Sequence, residues 1–286
     1  MIQEIIIGID LGASKVRIGK VEKNRIVKHI SSNISAEGSE KQILNEIIQT
    51  IEEVFDPGVA AIGVGVPSVV DVEKGIVYEV QNIASWQKVP LKEILENHFH
   101  KPVYVNNDAN CFAVGEKHFG KGKKYRNFVG LTIGTGVGAG IIINNRLYCG
   151  DNCGAGEFGI IPYKKSILEY YCSGQFFMGE YGIRGDQVYA RAKQGDKTAI
   201  EIFEQFGAHF GDAMKIIMFA VDPEAIIIGG AVSQAFSFFE KSMRERMNTF
   251  PYKHALEHII IETTDQPQIA ILGAAALYYD AQLRGA

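Results

Sequence analysis

Short apolar runs alternate along the chain with segments whose apolar residues recur at helical spacing. The run Ile5 to Ile9 ends at Asp10 and is followed by further strand-like residues to about Asn33. Between 40 and 55, Ile43, Leu44, Ile47, Ile48, Ile51 and Val54 keep a helical period, so the pattern predicts a helix. Ala60 to Val66 reads as a buried strand stopped by Pro67. Pro90 opens a short predicted helix from Leu91 to Phe99. Pro102 to Val105 is a strand that runs into Asn106-Asn107-Asp108, and the spacing of Ala109, Phe112, Ala113 and Glu116 predicts a helix just after it. One long stripe, Ile202, Phe203, Phe206, Phe210, Ala213, Met214 and Ile217, marks a helix ended by Asp222-Pro223. Ala225 to Ile228 is then a buried strand leading into Gly229-Gly230, and Ile269 to Tyr279 reads as a terminal helix. Strands and helices alternate, so the chain belongs to the α/β class with mixed sheets.

One pattern occurs twice. Ile7 to Ser14 leads into the strand Val16 to Val21 and the turn Asn24-Arg25; Val129 to Gly136 leads into Ala139 to Ile143 and the turn Asn144-Asn145-Arg146. Each copy is a strand, a turn of small and hydroxyl residues, and a second strand. The repeat predicts two related domains facing each other. Turns without large side chains let backbone N–H groups approach a phosphate, so two such turns suit a nucleotide polyphosphate held in a cleft. The expected division is a smaller domain over 1–117, completed by the last helix at about 273–286, and a larger one over 118–272.

A length of 286 residues accommodates two cores. The net charge of −4 argues against a nucleic-acid partner, and Lys121, Lys123, Lys124 and Arg126 read as one solvated loop. The first apolar run is too short for a signal peptide or a membrane span, so a cytoplasmic protein without membrane contact is expected. Cys111, Cys149, Cys153 and Cys172 are expected to be thiols; Cys149 and Cys153 have no second pair at a zinc-like spacing.

Gly134-x-Gly136-x-x-Ala139 fits the loose dinucleotide fingerprint, but a strand follows it where that motif needs a helix. Gly115 to Lys121 falls short of a P-loop because Gly122 replaces the hydroxyl residue. A phosphate cradle is the reading that the pairing of Gly134 to Gly136 with Asp10-Leu11-Gly12-Ala13-Ser14 favours. Asp10 ends an apolar strand, where a carboxylate needs compensation: it either caps the turn amides or makes a water-mediated contact to nucleotide-bound magnesium. Asp108, at a strand–helix junction, is either a helix cap or a base that accepts the proton of an attacking hydroxyl. Its neighbours Asn106, Asn107 and Asn110 suit hydrogen bonding to a polyhydroxyl ligand. Gly154-Ala155-Gly156-Glu157 places an acid on a tight turn. His98, His100, His254 and His258 show no ligand spacing.

These segments resemble the ROK family of sugar kinases and sugar-responsive repressors over essentially the whole chain. Asp10-Leu11-Gly12-Ala13-Ser14-Lys15 is similar to the first phosphate turn, Gly134-Thr135-Gly136-Val137-Gly138 to the second, and Ile228-Gly229-Gly230-Ala231-Val232 to the adenosine motif. Gly63 to Asp71 resembles the sugar loop, with Ser68 where Gly is usual, and Asn82-Ile83-Ala84-Ser85-Trp86 resembles a second sugar element. Val105 to Asn110 carries the family's catalytic aspartate at Asp108, and Glu157 and Glu169 match sugar-binding glutamates. One region departs. Ile160 stands at the family's histidine position, and the zinc-binding cysteine loop is missing between Pro162 and Leu168.

The resemblance implies the two-domain sugar kinase/actin/Hsp70-like (ribonuclease H-like) fold and ATP-dependent phosphorylation of a hexose, at the 6-hydroxyl as in glucokinase-like members. Asp108 would be the base. Asp10, Gly12, Ala13, Ser14, Lys15, Gly134, Thr135 and Gly136 would hold phosphates, with Mg²⁺ near Asp10 through water. Gly229, Gly230, Ala231 and Val232 would receive the adenosine; Ser68, Asn82, Asn107, Asp108, Glu157 and Glu169 would hold the sugar. No zinc is expected, and Glu169 is expected to be placed by packing of Phe158, Ile160, Ile161 and Ile167. A homodimer is expected. The alternatives are a ROK protein that binds sugar or nucleotide with little kinase activity, and a kinase for an N-acetylated or otherwise modified sugar. A repressor is disfavoured because the sequence starts directly at the first phosphate strand.

Overall fold

The computed structural model describes residues 4–12, 14–80 and 83–284. The chain divides into two compact units. The first comprises 1–126, 140–155 and 265–286; the second comprises 127–139 and 156–264.

The first unit is built on a five-stranded sheet of order β3-β2-β1-β4-β8. Its strands are β1 (Ile5–Leu11), β2 (Lys15–Glu22), β3 (Arg25–Asn33), β4 (Val59–Val66) and, beyond the small sheet described next, β8 (Val103–Asn107). The small antiparallel sheet joins β5 (Val69–Asp71), β6 (Ile76–Tyr78) and β7 (Lys88–Val89). Strands β1, β4 and β8 run parallel, and β2 and β3 return antiparallel as hairpins. Helix α1 (Glu40–Glu52), capped by the Ser39 side chain, buries Ile43, Leu44, Ile47 and Ile51, the face that the sequence period marks. Helix α2 (Leu91–Phe99) has the predicted bounds, and α3 (Asp108–His118) begins where β8 ends.

In the second unit, strand β9 (Phe128–Ile133) is followed by β10 (Val137–Ile143), which carries the chain across the boundary between units. The last residues of β10 pair antiparallel with β11 (Arg146–Tyr148) inside the first unit. Asn144 and Asn145, both at positive φ, make the hairpin turn the sequence announces. A two-stranded hairpin, β12 (Pro162–Tyr163) and β13 (Ser166–Ile167), precedes the helices α4 (Leu168–Cys172), α5 (Gly174–Tyr181), α6 (Gly185–Lys193) and α7 (Lys197–Val221). Strand β14 (Ala225–Gly229) lies parallel to both β9 and β15 (Ile260–Thr263). Helices α8 (Phe236–Met247) and α9 (Lys253–His258) fall between those two strands. The aromatic stripe of α7 forms the core here: Phe203, Phe206 and Phe210 are buried, with Phe206 stacked on Phe177 and Phe210.

Helix α10 (Ile269–Arg284) returns to the first unit and lies on its sheet. The contact is backbone to backbone. A Cβ on Gly8 would sit 2.1 Å from the Ile271 carbonyl oxygen, and one on Gly63 would sit 1.9 Å from that of Ala274. Gly8 and Gly63 are register partners on β1 and β4, so together they form the bare strip on which the helix rests. No described helix is long and apolar enough to cross a membrane.

Candidate active site

In the first unit the predicted residues gather at the carboxyl ends of the parallel strands, the end at which open α/β sheets bind ligands. The register sets Asp10 of β1 beside Gly65 of β4, and Gly65 beside Asn106 of β8. The β1–β2 turn closes with the Gly12 N–H on the Lys15 carbonyl at 2.8 Å. Ala13 of that turn, and Asn82, lie outside the described residues. Asp10 is 7% exposed and pairs with the guanidinium of Arg17, its partner across the β1–β2 ladder. Burial nevertheless keeps its carboxyl above the ordinary aspartate value, against the opposing pull of Arg17. The sequence reading missed Arg17, although the alternation of the hairpin places it on the same face.

Asp108 is the first residue of α3 and is exposed. The cap is the residue before it: Asn107 Oδ1 accepts from the Ala109 N–H at 2.9 Å, and Asn107 Nδ2 donates to the Ser68 carbonyl at 3.3 Å. Asn107 thus ties the start of α3 to the loop after β4, and Ser68 in turn donates its hydroxyl to the Tyr78 carbonyl. The Asp108 and Asp10 charges both reach the buried Cys111 thiol, whose pKa is raised by burial first and by those two carboxylates next.

Asn106 and Asn110 do not face a ligand, contrary to the reading of this cluster as one polar surface. They are 2% and 1% exposed, and Asn110 Nδ2 donates to Asn106 Oδ1 at 2.9 Å. Cys153 Sγ also donates to Asn106 Oδ1, at 3.4 Å. The reason is spacing: residues four apart across the start of a helix share a face, and here that face points into the core. All four cysteines are free and buried.

In the second unit the turn Gly134–Gly136 and the segment after β14 meet. Register places Thr132 of β9 beside Gly229. A cavity of about 720 Å³ is lined by Gly134 and Thr135 of the turn and by Ala231 and Val232 after Gly230, together with side chains such as Phe177 and Tyr189. The helices that supply this wall carry no local motif, so the sequence offered no signal for it.

Glu157 and Glu169 belong to this unit and interact. Burial first, and the charge of Glu169 second, push the Glu157 carboxyl above its usual value. Glu169 is half-buried, but Ile160 takes no part in the packing expected around it. Ile160 is 63% exposed, because the chain after Glu157 makes a short 3-10 turn and then the tight β12–β13 hairpin, which turns Ile160 outward. Hydrogen bonds hold Glu169: Oε2 accepts from the Val137 N–H at 2.9 Å, and Oε1 from Gln175 Nε2 at 2.8 Å.

The hairpin itself is anchored to α7 by a polar chain. Tyr163 donates to Asp212 Oδ2 at 2.7 Å and faces His209 Nδ1 at 3.1 Å. With the tyrosine proton committed to Asp212, Nδ1 of a neutral His209 is the donor, which leaves Nε2 to accept from Lys164 Nζ at 3.5 Å. Burial, then the nearby Lys164 charge, lowers His209 to about 4. Asp212, opposed by burial, is held at about 2 by hydrogen bonds from Arg246, Lys215 and Tyr163. This network occupies the stretch where the family's cysteine loop was expected to be missing.

The ROK family model matches residues 6–281. The chain is 28% identical to a glucokinase of Thermotoga maritima, over 85% of this chain and 86% of that one. It is 27% identical to a xylose repressor of Caldicellulosiruptor bescii, over 95% of this chain and 77% of that one. Among solved structures, a ROK family glucokinase from Streptomyces griseus in complex with glucose and AMPPNP superposes with a TM-score of 0.80 at 28% identity, covering 96% and 98% of the two chains. The α/β architecture is therefore the sugar kinase/actin/Hsp70-like one, and the chain belongs to the ROK family.

Proposed function

We propose that this protein transfers the terminal phosphoryl group of ATP to a hexose, at the 6-hydroxyl. The observation that carries the reading is the cavity in the second unit, whose wall combines the Gly134–Thr135 turn with Ala231–Val232. A cavity of about 720 Å³ is the size of a nucleotide-sized ligand site. Backbone amides at the turn suit the phosphates, and the apolar wall suits a base and ribose.

In this proposal Asp108 is the general base. Its carboxylate accepts the proton of the attacking hydroxyl; the new O–P bond forms as the bond from the terminal phosphorus to the bridging oxygen breaks, and ADP leaves. Asn107 holds the start of α3, and so Asp108, against the Ser68 loop. Glu157, and Ser68 with Asn82, are proposed on the sugar side. Gly12, Ala13, Ser14 and Lys15 are proposed on the phosphates, and Gly229 and Gly230 beside the adenosine. The residues around Asp10 fit a Mg²⁺ ion held through water: its buried carboxylate pairs with Arg17, and that partner does not offset the cost of burial. When bound with the nucleotide, the ion would neutralise phosphate charge. Zinc is not part of the proposal; cytoplasmic residence and a homodimer are, the latter testable by light scattering on the eluting protein.

The test is ADP release with Mg-ATP across hexoses, amino sugars and N-acetylated sugars. Turnover of one hexose at its 6-hydroxyl supports the reading, and preference for an N-acetylated sugar would redirect the substrate. A second reading, a sugar-binding protein with little kinase activity, is favoured by the similarity to a xylose repressor and by the exposed Ile160. Sugar binding without any turnover would establish that one.

A further inference from the structure

The second phosphate turn is held from outside, and Glu169 is the centre of the hold. Residues from α4 to the start of α5 grip three backbone groups in the turn and at the start of β10. Glu169 Oε2 accepts from the Val137 N–H at 2.9 Å. Ser173 Oγ donates to the Thr135 carbonyl at 3.0 Å. The Gly174 N–H donates to the Gly134 carbonyl at 2.8 Å. Gln175 links these contacts, since its Nε2 reaches both Glu169 Oε1 at 2.8 Å and the Thr135 carbonyl at 3.3 Å. Inside the turn the Gly134 N–H bonds the Gly136 carbonyl at 3.0 Å. Among the described residues the Thr135 and Gly136 N–H groups have no protein acceptor. The fit is close: a Cβ on Gly136 would lie 2.5 Å from Glu169 Oε2, so the carboxylate fills the space a side chain would need.

We propose that Glu169 is a positioning residue for the nucleotide: through the Val137 amide and Gln175 it fixes the turn so that the Thr135 and Gly136 amides are set for the terminal phosphates. This rests on the kinase reading above but departs from the role that the resemblance gives Glu169, which is to hold the sugar. The two roles are chemically compatible, because each carboxylate oxygen keeps a lone pair after one hydrogen bond. What distinguishes them is which ligand is lost when Glu169 is changed. A charge-assisted hydrogen bond to a backbone amide is among the stronger contacts a turn can have, so its removal leaves the turn poorly held.

The test is calorimetric binding of Mg-AMPPNP to the wild type, Glu169→Ala and Glu169→Gln, with binding of the turned-over sugar measured separately. In Glu169→Gln the amide oxygen still accepts from Val137, and its NH₂ can pair with a flipped Gln175. The expected result is about 10-fold weaker AMPPNP binding in Glu169→Ala, the scale of one lost charge-assisted contact, and a change within about 3-fold in Glu169→Gln. Unchanged AMPPNP affinity in both variants, with sugar affinity lost in both, overturns the proposal and leaves the kinase reading standing. A wild type that binds no AMPPNP overturns both. If Glu169→Ala does not fold, Gln175→Ala is the second variant: weaker AMPPNP binding at unchanged sugar affinity supports the relay, and unchanged AMPPNP binding overturns it.

Discussion

Gly273→Ala tests the most demanding contact in the first unit. Gly273 lies in α10 where that helix crosses α3, and a Cβ there would sit 1.9 Å from the Cys111 carbonyl oxygen and 2.6 Å from its carbon. Gly115 faces it from α3, with its own Cβ position 2.9 Å from the Gly273 Cα. Both partners are helix backbone, so no side chain can rotate away. The helices must part by more than about 1 Å to restore ordinary contact. Parting them loosens Ala274, Ala275 and Ala276, all fully buried. Overpacking costs about 1–3 kcal/mol in adaptable sites, and this site belongs at or beyond the upper end. Replacing Gly by Ala within a helix returns about 1 kcal/mol. The net expectation is about 2–3 kcal/mol of destabilisation, a fall in melting temperature of about 4–12 °C for a unit of this size. Scanning calorimetry of the variant measures it, with Gly154→Ala, whose Cβ would meet nothing within 4 Å, as the control. A reduced kcat should accompany the fall, because α3 begins with Asp108. A melting temperature equal to or above the wild type would refute the close crossing.

Asp108→Asn should lower kcat by about 10²- to 10⁴-fold while AMPPNP still binds; near-normal turnover removes Asp108 from the mechanism. His209 is held neutral, with its pKa lowered to about 4 from 6.5 in the unfolded chain, so its contribution to stability is fully present above pH 6.5 and is lost as pH falls through about 4. Melting temperature should therefore fall as pH is lowered from 6.5 to about 4, and His209→Gln should flatten that fall; an unchanged fall locates the titration elsewhere. With Ile160 at the position where the family's histidine is expected, activity should survive chelation once Mg²⁺ is resupplied. Elemental analysis finding one zinc per chain, with activity lost on its selective removal, would show otherwise.

The elements with a clean period are those the sequence makes plain. Helix α2 has the expected bounds, and α7 ends one residue before Asp222, as the Asp-Pro pair implies. The strands β5, β6 and β7 are too short for any alternation to register, although each pairs with its neighbour in sequence. β10 is a single apolar strand, so nothing local marks that its two halves belong to different units. Among the candidate site residues, residue type and order single out Asp10, Asp108 and Gly134, and the family resemblance adds Glu169, but neither gives their settings. The Asn106 to Asn110 cluster looks uniformly polar in sequence; only the helical turn separates Asp108, which is exposed, from Asn106 and Asn110, which face the core. Glu169 looks like a ligand residue, and its bond to an amide 32 positions away in sequence is invisible until the chain folds.

The seat of α10 on Gly8 and Gly63 has a consequence for biosynthesis. The helix is translated after the whole of the second unit, whereas the strands it covers are among the first segments made. Until it arrives, β1 and β4 present a bare strip to the surroundings and α3 lacks its packing partner. The second unit, drawn almost entirely from the contiguous stretch 156–264, can complete its own core earlier. Long-range closure of this kind is slow and leaves apolar surface open meanwhile. The half of the molecule that begins synthesis first is thus the half that finishes folding last, and its early strands are the segments a nascent-chain chaperone would have to shield.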